Sequence, residues 1–130
     1  MKKIVRSILI FFLLIGVILT VAIVLLLRNS DSVLDETVEA IDFTVLNDGV
    51  YQGHYDGYRW SNTVSITIHN GEVVDIALVE DVRFTDDITS AIVFTRVIET
   101  QTLDIDVVSG ATISSIAYLK AIEDAISKAK

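Results

Sequence analysis

A run of four small residues, from Ser109 to Thr112, stands directly before a segment with helical spacing. The N-terminus of a helix presents unpaired backbone N–H groups and the positive end of the helix dipole. Small side chains at this position allow a phosphate group to approach the backbone, so phosphate binding is one chemistry that this run could support. Serine and threonine are also common helix caps. Taken alone, the four residues favour an ordinary cap over a phosphate site.

The other residues with catalytic or metal-binding chemistry give weaker signals. His54 and His69 lack a second histidine or a cysteine at the spacing that a metal site requires. The acidic pairs Glu80-Asp81 and Asp86-Asp87 are typical of solvated charge, and no serine has a histidine and an acid as credible partners. We therefore expect neither a catalytic residue nor a metal site.

Aromatic residues are concentrated between Tyr51 and Trp60, where Tyr55 and Tyr58 also lie. Such residues usually fill a core or cover a sheet, and this is the interpretation that we favour from the sequence. The alternative is a wall for a planar ligand, because flat ring systems gain free energy from stacking and apolar burial. Tyr58 and Trp60 are the candidates for contacts to such a ring.

Residues 1–28 are predicted to form an N-terminal membrane anchor. The 21 residues from Ser7 to Leu27 carry no charge, and a helix of this length spans about 31 Å, close to the thickness of the hydrocarbon layer. A cleaved signal peptide is the alternative, but its apolar region is usually about 7 to 15 residues long, and no small-residue cleavage site follows Leu27. A buried core helix is disfavoured because the run is apolar on every side.

The distribution of charge predicts the orientation of this anchor. Lys2, Lys3 and Arg6 precede the span, and the rest of the chain carries seven basic against 18 acidic residues, a net charge of −11. Basic residues beside a span mark its cytoplasmic side, so we expect the N-terminus in the cytoplasm and the acidic domain outside the cell membrane. An acidic surface argues against nucleic acid as a partner. Because the chain has no cysteine, a redox role requires an organic cofactor or a metal held by Asp, Glu or His.

Residues 29–45 are predicted to link the anchor to the domain. Leu34, Val38, Ile41 and Val45 recur there at helical spacing among acidic residues. This pattern suggests a short amphipathic helix.

Residues 46–130 are predicted to form one α+β domain. Residues 50–55 and 64–79 show the alternation of strands, and apolar residues at helical spacing predict helices near 88–98 and over 112–128. Early strands and late helices indicate a small antiparallel sheet with helices on one face, preceded here by a single N-terminal transmembrane helix.

The loop between the second and third strands has two possible lengths. Asn70-Gly71 suggests a two-residue type I′ loop, but that loop would set Ile66 opposite Asp75 and misalign the apolar faces. A three-residue loop that begins at His69 sets Ile66 opposite Val74 instead. Because a slip of one residue turns a strand inside out, we predict the three-residue loop, with its glycine in the left-handed region.

The segment Asp106-Val107-Val108-Ser109-Gly110-Ala111-Thr112 resembles the covalent flavinylation motif, Asp-x-x-Ser/Thr-Gly-Ala-Thr, of the FMN-binding domain family. That domain also occurs in a subunit of sodium-pumping quinone oxidoreductases and in related electron-transport complexes. Residues 47–53 resemble the family's opening strand, and residues 97–106 resemble its approach to the motif. The resemblance extends over roughly residues 46 to 128. It is weakest at residues 81–88, where the family's loop is often basic and glycine-rich.

The resemblance implies that a flavin transferase, using FAD and a divalent metal, attaches FMN to Thr112 through a phosphoester bond. Asp106, Ser109, Gly110 and Ala111 would complete the recognition motif. The protein would then be a membrane-anchored extracytoplasmic electron carrier rather than a complete enzyme. Its partners would be the transferase, the lipid bilayer, and membrane electron-transport proteins or a quinone oxidoreductase. Two alternatives stay open: a non-covalent flavin-binding or sensor module, and an accessory subunit with an empty site, against which the intact motif argues.

Overall fold

A computed structural model describes residues 2–27, 30–39, 41, 43–83 and 87–130 of the chain. These residues form two compact units, Met1–Ser32 and Val33–Lys130. The elements, in chain order, are α1 (Lys2–Leu27), α2 (Ser30–Leu34), β1 (Gly49–Tyr55), β2 (Asn62–His69), β3 (Glu72–Glu80), α3 (Asp87–Thr100) and α4 (Thr112–Ser127), with short 3₁₀ turns at Phe43–Val45 and Tyr58–Trp60. The predicted α+β fold with an N-terminal apolar helix is confirmed.

Helix α1 is long and apolar enough to cross a membrane. Its segment Ile4–Leu25 has a mean hydropathy of 3.4, and none of it is buried against protein. An apolar helix with no buried side is not the core helix of a soluble domain. The alternative of a buried core helix is therefore not supported.

The second unit is built on a three-stranded antiparallel sheet in the order β1-β2-β3. Every second residue of β2 is buried on one face, namely Val64, Ile66 and Ile68. Helix α4 covers β1 and β2 on this face, and α3 packs against both α4 and β3. All three strands and both helices agree with their predicted positions, because alternation and helical periodicity were clear in each.

The loop between β2 and β3 differs from the predicted one. His69 pairs with Glu72, so the loop has only two residues, Asn70 (φ 54°) and Gly71 (φ 77°), which both have the positive φ of a type I′ turn. The pairing then skips Val74, which forms a bulge in β3 and is exposed, whereas its neighbour Val73 is buried. The bulge restores the apolar alignment beyond it, because one extra residue reverses the side on which the following residues lie. The prediction of a three-residue loop was wrong, and the prediction of a left-handed Gly71 is confirmed.

In its described part, the segment 29–45 does not form one continuous helix. Helix α2 ends at Leu34, and residues 36–39 have no regular secondary structure. Val33 is 1% exposed and belongs to the same core as Phe43 and Leu46, so the compact unit begins well before residue 46. The free energy gained by burying these apolar side chains in the core of the domain exceeds the small free energy of intrinsic helix propensity.

The segment after α2 is also held by a hydrogen bond. The hydroxyl of Tyr55 donates to Oε1 of Glu36 at 3.1 Å. Burial, together with this hydrogen bond, raises the pKa of Tyr55 to about 12. The phenol therefore stays protonated, and able to donate, throughout the neutral pH range.

Candidate functional site

A tight turn leads from the connector into helix α4. The N–H of Ala111 donates to the carbonyl oxygen of Val108 at 2.9 Å, and Gly110, the third residue of the turn, has φ +81°. A type II turn requires a positive φ at this position. A Cβ atom placed on Gly110 would meet nothing within 4 Å. The glycine therefore serves the backbone conformation, and the space in front of it is open.

Ser115 fastens this turn to the helix. Its buried hydroxyl accepts a hydrogen bond from the N–H of Val108 at 3.1 Å and donates one to the carbonyl of Ala111 at 2.8 Å. Helical spacing predicts Ser115 on the same side of α4 as Leu119 and Ile122, and its burial confirms this. The residue at the N-cap is Ala111, and no side chain caps the helix. Ser109 thus does not act as the cap that the sequence suggested.

The first turn of α4 consequently keeps free hydrogen-bond donors. The backbone N–H groups of Thr112, Ile113 and Ser114 have no hydrogen-bond partner within the described ranges, and neither has the hydroxyl of Thr112. The three residues that carry them line a cleft of about 470 Å³, which we call the motif cleft. Its lining consists of Leu34, Trp60, Gly110, Ala111, Thr112, Ile113 and Ser114. Free N–H groups at the positive end of a helix dipole are suited to bind a phosphate.

Trp60 supplies the aromatic part of the motif cleft. It lies in the 3₁₀ turn between β1 and β2, and its carbonyl accepts a hydrogen bond from Nδ2 of Asn62 at 3.1 Å. The same Nδ2 donates to the carbonyl of Ala117 on α4 at 3.0 Å. The buried Asn62 thereby holds the tryptophan turn against the helix that begins with Thr112. On the indole, the Arg59 guanidinium carbon lies 4.8 Å from the ring centroid, a cation–π arrangement.

Comparison with known families adds the deciding observation. The family model described as FMN-binding domain matches residues 57–127 of the chain. The chain belongs to the FMN-binding domain family. The match begins just before Trp60, ends with the last residue of α4, and includes the whole of the motif. A separate comparison with curated proteins found no match.

The motif cleft fits FMN in size and in chemistry. Its volume lies within the range of about 300 to 1,000 Å³ that is usual for ligand pockets. The unpaired N–H groups of α4 suit a phosphate, and Trp60 suits a planar ring system. The protein is a flavin-binding protein by family, and this cleft contains the residues of the FMN-binding domain that are equipped to hold the cofactor.

The structure brings together some of the predicted site residues and separates others. Gly110, Ala111, Thr112 and Trp60 line the motif cleft. Asp106 and Ser109 are exposed and precede it, and the carbonyl of Asp106 accepts a hydrogen bond from the guanidinium of Arg96 on α3. Tyr58 is 67% exposed and is not part of the cleft lining.

Three residues of the cleft lining were absent from the sequence-based site. Ile113 and Ser114 could have been predicted from the sequence. A helix that begins at Thr112 leaves the N–H groups of its first turn unpaired, and these two residues belong to that turn. Leu34, the last residue of α2, had no such signal, because only the tertiary structure brings it to the cleft. Among the described residues, no three His, Cys, Asp or Glu side chains are grouped so as to hold a metal ion.

A second and larger groove lies along α3. It has a volume of about 570 Å³ and is lined by residues of α3 alone, between Asp87 and Glu99. Its lining includes Asp87, the first residue of α3, but no aromatic residue. The motif cleft combines residues of the motif with an aromatic side chain, so we take it as the candidate flavin site.

Proposed function

We propose that this protein carries FMN covalently on Thr112 and relays electrons on the outer side of the cytoplasmic membrane. The observation that supports this most strongly is the position of Thr112. It is the first residue of α4, its hydroxyl has no partner among the described residues, and free N–H groups and Trp60 line the same cleft. The acceptor oxygen and the phosphate-binding donors are therefore adjacent.

The attachment is a transfer of FMN from FAD. The Thr112 hydroxyl oxygen attacks the phosphorus on the riboflavin side of the FAD pyrophosphate, and a new phosphoester bond forms. The bond from that phosphorus to the bridging oxygen breaks, AMP leaves with this oxygen, and the hydroxyl proton passes to solvent. The transferase supplies the divalent metal, which neutralises charge on the pyrophosphate. The helix N-terminus then stabilises the remaining negative charge of the ester.

The bound flavin supplies the redox chemistry, and the protein supplies position and environment. The free N–H groups of α4 hold the phosphate end of the flavin, and Trp60 covers an apolar face of its ring system. A covalent bond suits an exported carrier, because such a carrier cannot lose its cofactor by dilution. The protein would act as an electron carrier, or as a subunit of a membrane oxidoreductase, rather than as a complete enzyme.

The direct test is the intact mass of the full chain, purified in detergent after production with and without a flavin transferase. Covalent FMN increases the mass only when the transferase is present, and the flavin fluorescence then stays with the band on a denaturing gel. Flavin that leaves the band would establish a non-covalent binder instead. Protein without flavin in both preparations would establish an accessory subunit with an empty site.

The two aromatic candidates are expected to behave differently. Trp60→Ala should shift the absorbance maximum or the midpoint potential of the attached flavin, because it removes the aromatic wall of the motif cleft. Tyr58→Ala serves as the control and should change neither quantity, since Tyr58 is exposed outside the cleft lining. Both variants should retain the covalent flavin. Spectra and potentials that are identical in wild type and Trp60→Ala would remove Trp60 from the ring site.

The proposed location requires one orientation of α1. Lys2, Lys3 and Arg6 favour a cytoplasmic N-terminus, and the acidic domain then lies outside. In intact cells, external protease should digest a tag placed after Lys130 and leave a tag at the N-terminus protected. Protection of the C-terminal tag together with digestion of the N-terminal one would reverse the orientation and contradict an extracytoplasmic role.

A further inference from the structure

A third concave surface lies beside the motif segment, and we call it the acidic groove. It has a volume of about 450 Å³. Its floor is apolar and consists mainly of buried or half-buried side chains, while three exposed carboxylates surround it. The floor residues used below are Leu103, Ile116 and Leu119, and the rim residues are Glu36, Glu39 and Asp104.

The rim charges are not neutralised within the groove. In the part of the chain that the structure describes, no basic residue lines it. The side chains of Glu39 and Asp104 make no hydrogen bond or ion pair to another described residue, and Glu36 only accepts from the neutral hydroxyl of Tyr55. Unpaired carboxylates around an apolar floor complement a surface that carries lysine or arginine beside an apolar side chain.

The position of the acidic groove indicates which partner would use it. Val107 lines the groove, and only four residues lie between it and Thr112, a span of at most about 18 Å along an extended chain. A docked protein typically covers about 800 Å² and roughly 20 to 30 residues of its partner. An enzyme that recognises residues 106–112 contacts the segment that contains Val107, and its footprint is large enough to extend over the groove. An electron partner needs only to approach the flavin in the motif cleft.

We propose that the acidic groove is the docking surface through which the flavin transferase, by a basic element with an apolar tip, holds this protein while Thr112 is modified. This inference rests on the proposed function. The motif then presents the acceptor, and the groove increases the affinity and the rate of encounter. Neutralising the rim should weaken docking and leave the chemical step almost unchanged.

The test measures flavin attachment to the full chain in detergent, with purified transferase, FAD and Mg²⁺ at low ionic strength. The variant Glu36→Gln/Glu39→Gln/Asp104→Asn should raise the KM for the protein substrate roughly tenfold and leave kcat close to wild type. The difference from wild type should shrink at high salt, because exposed charges are screened. The matched control Glu72→Gln/Asp75→Asn/Glu99→Gln removes three exposed carboxylates outside the groove and should retain the wild-type KM.

A competition assay separates docking from the chemical step. Full-length Thr112→Val protein cannot accept FMN but keeps the acidic groove, so it should inhibit attachment to the wild type competitively. Adding Glu39→Lys to this inhibitor should abolish most of the inhibition. Glu39 is exposed and has no side-chain partner among the described residues, so the change leaves the fold intact.

Three results would overturn the inference. Equal KM values for the wild type and the rim variant would show that the transferase does not use the groove. If the wild type still accepts flavin in that experiment, the proposed function remains valid. Slower reduction of flavin that is already attached, with normal attachment, would assign the groove to an electron partner. Failure of the wild type itself to accept flavin would remove the proposed function and the docking surface together.

Discussion

Thr112→Val is expected to abolish covalent flavin while the domain remains folded. Valine keeps the shape of threonine and removes the acceptor oxygen. The Thr112 hydroxyl has no hydrogen-bond partner in the described residues, and the N-cap position belongs to Ala111. The loss of stability should therefore stay below the roughly 1 kcal/mol that removal of a true helix cap costs. Fluorescence of the band on a denaturing gel, after production with the transferase, measures the outcome.

Two neighbouring serines provide the controls for this experiment. Ser114→Ala should keep the flavin, because Ser114 lines the motif cleft but does not match the acceptor of the motif. Ser115→Ala should also keep it, but this variant should lose about 1 to 2 kcal/mol of stability, since the N–H of Val108 loses its buried hydroxyl partner. A fluorescent band from Thr112→Val protein would show that another residue is the acceptor.

Gly53→Ala is expected to cause the largest loss of stability of any change considered. Gly53 lies in β1 beneath α4, and a Cβ atom there would overlap the carbonyl oxygen of Ala121 and the backbone nitrogen of Ala125. It would also lie 2.7 Å from the Cβ of Ala125. Backbone atoms of a helix cannot move aside individually, so the sheet and the helix must separate. The cost should be about 3 kcal/mol or more, measured by denaturant unfolding of the full chain in detergent.

Gly110→Ala is the matched control for Gly53→Ala. Its Cβ would meet no atom within 4 Å, so only the positive φ of +81° opposes the substitution. That strain costs about 1 to 2 kcal/mol. A smaller loss of stability for Gly53→Ala than for Gly110→Ala would contradict the close packing of α4 on β1.

Features that depend on a few adjacent residues were predictable. The uncharged run behind Lys2, Lys3 and Arg6 predicted an apolar helix, and α1 is that helix. The start of α4 at Thr112 followed from helical periodicity behind a glycine, and the side of α4 on which Ser115 lies followed from the same periodicity. Hydropathy, periodicity and turn chemistry act within one or two turns of chain, so their effects can be read without knowledge of the fold.

The hairpin shows where two local signals conflict. The dipeptide Asn70-Gly71 favoured a two-residue loop, and the apolar pattern favoured a longer one. The structure satisfies both signals by means of the bulge at Val74. Whether a bulge is tolerated depends on the packing of the sheet against α3 and α4. The sequences of the two strands carry no information about that packing.

The sequence by itself determined the apolar N-terminal helix, the order of strands and helices, and a motif whose threonine begins a helix. Only the tertiary structure decided that Trp60 and Leu34 line the same cleft as Thr112, that Tyr58 is not part of this lining, and that carboxylates from residues 36–39 and from Asp104 surround one groove. These residues are far apart along the chain, and no local propensity relates them. Their proximity results from burial of a common core by β1, β2 and α4, because the hydrophobic effect is non-directional and depends on the total apolar area that the whole fold removes from water.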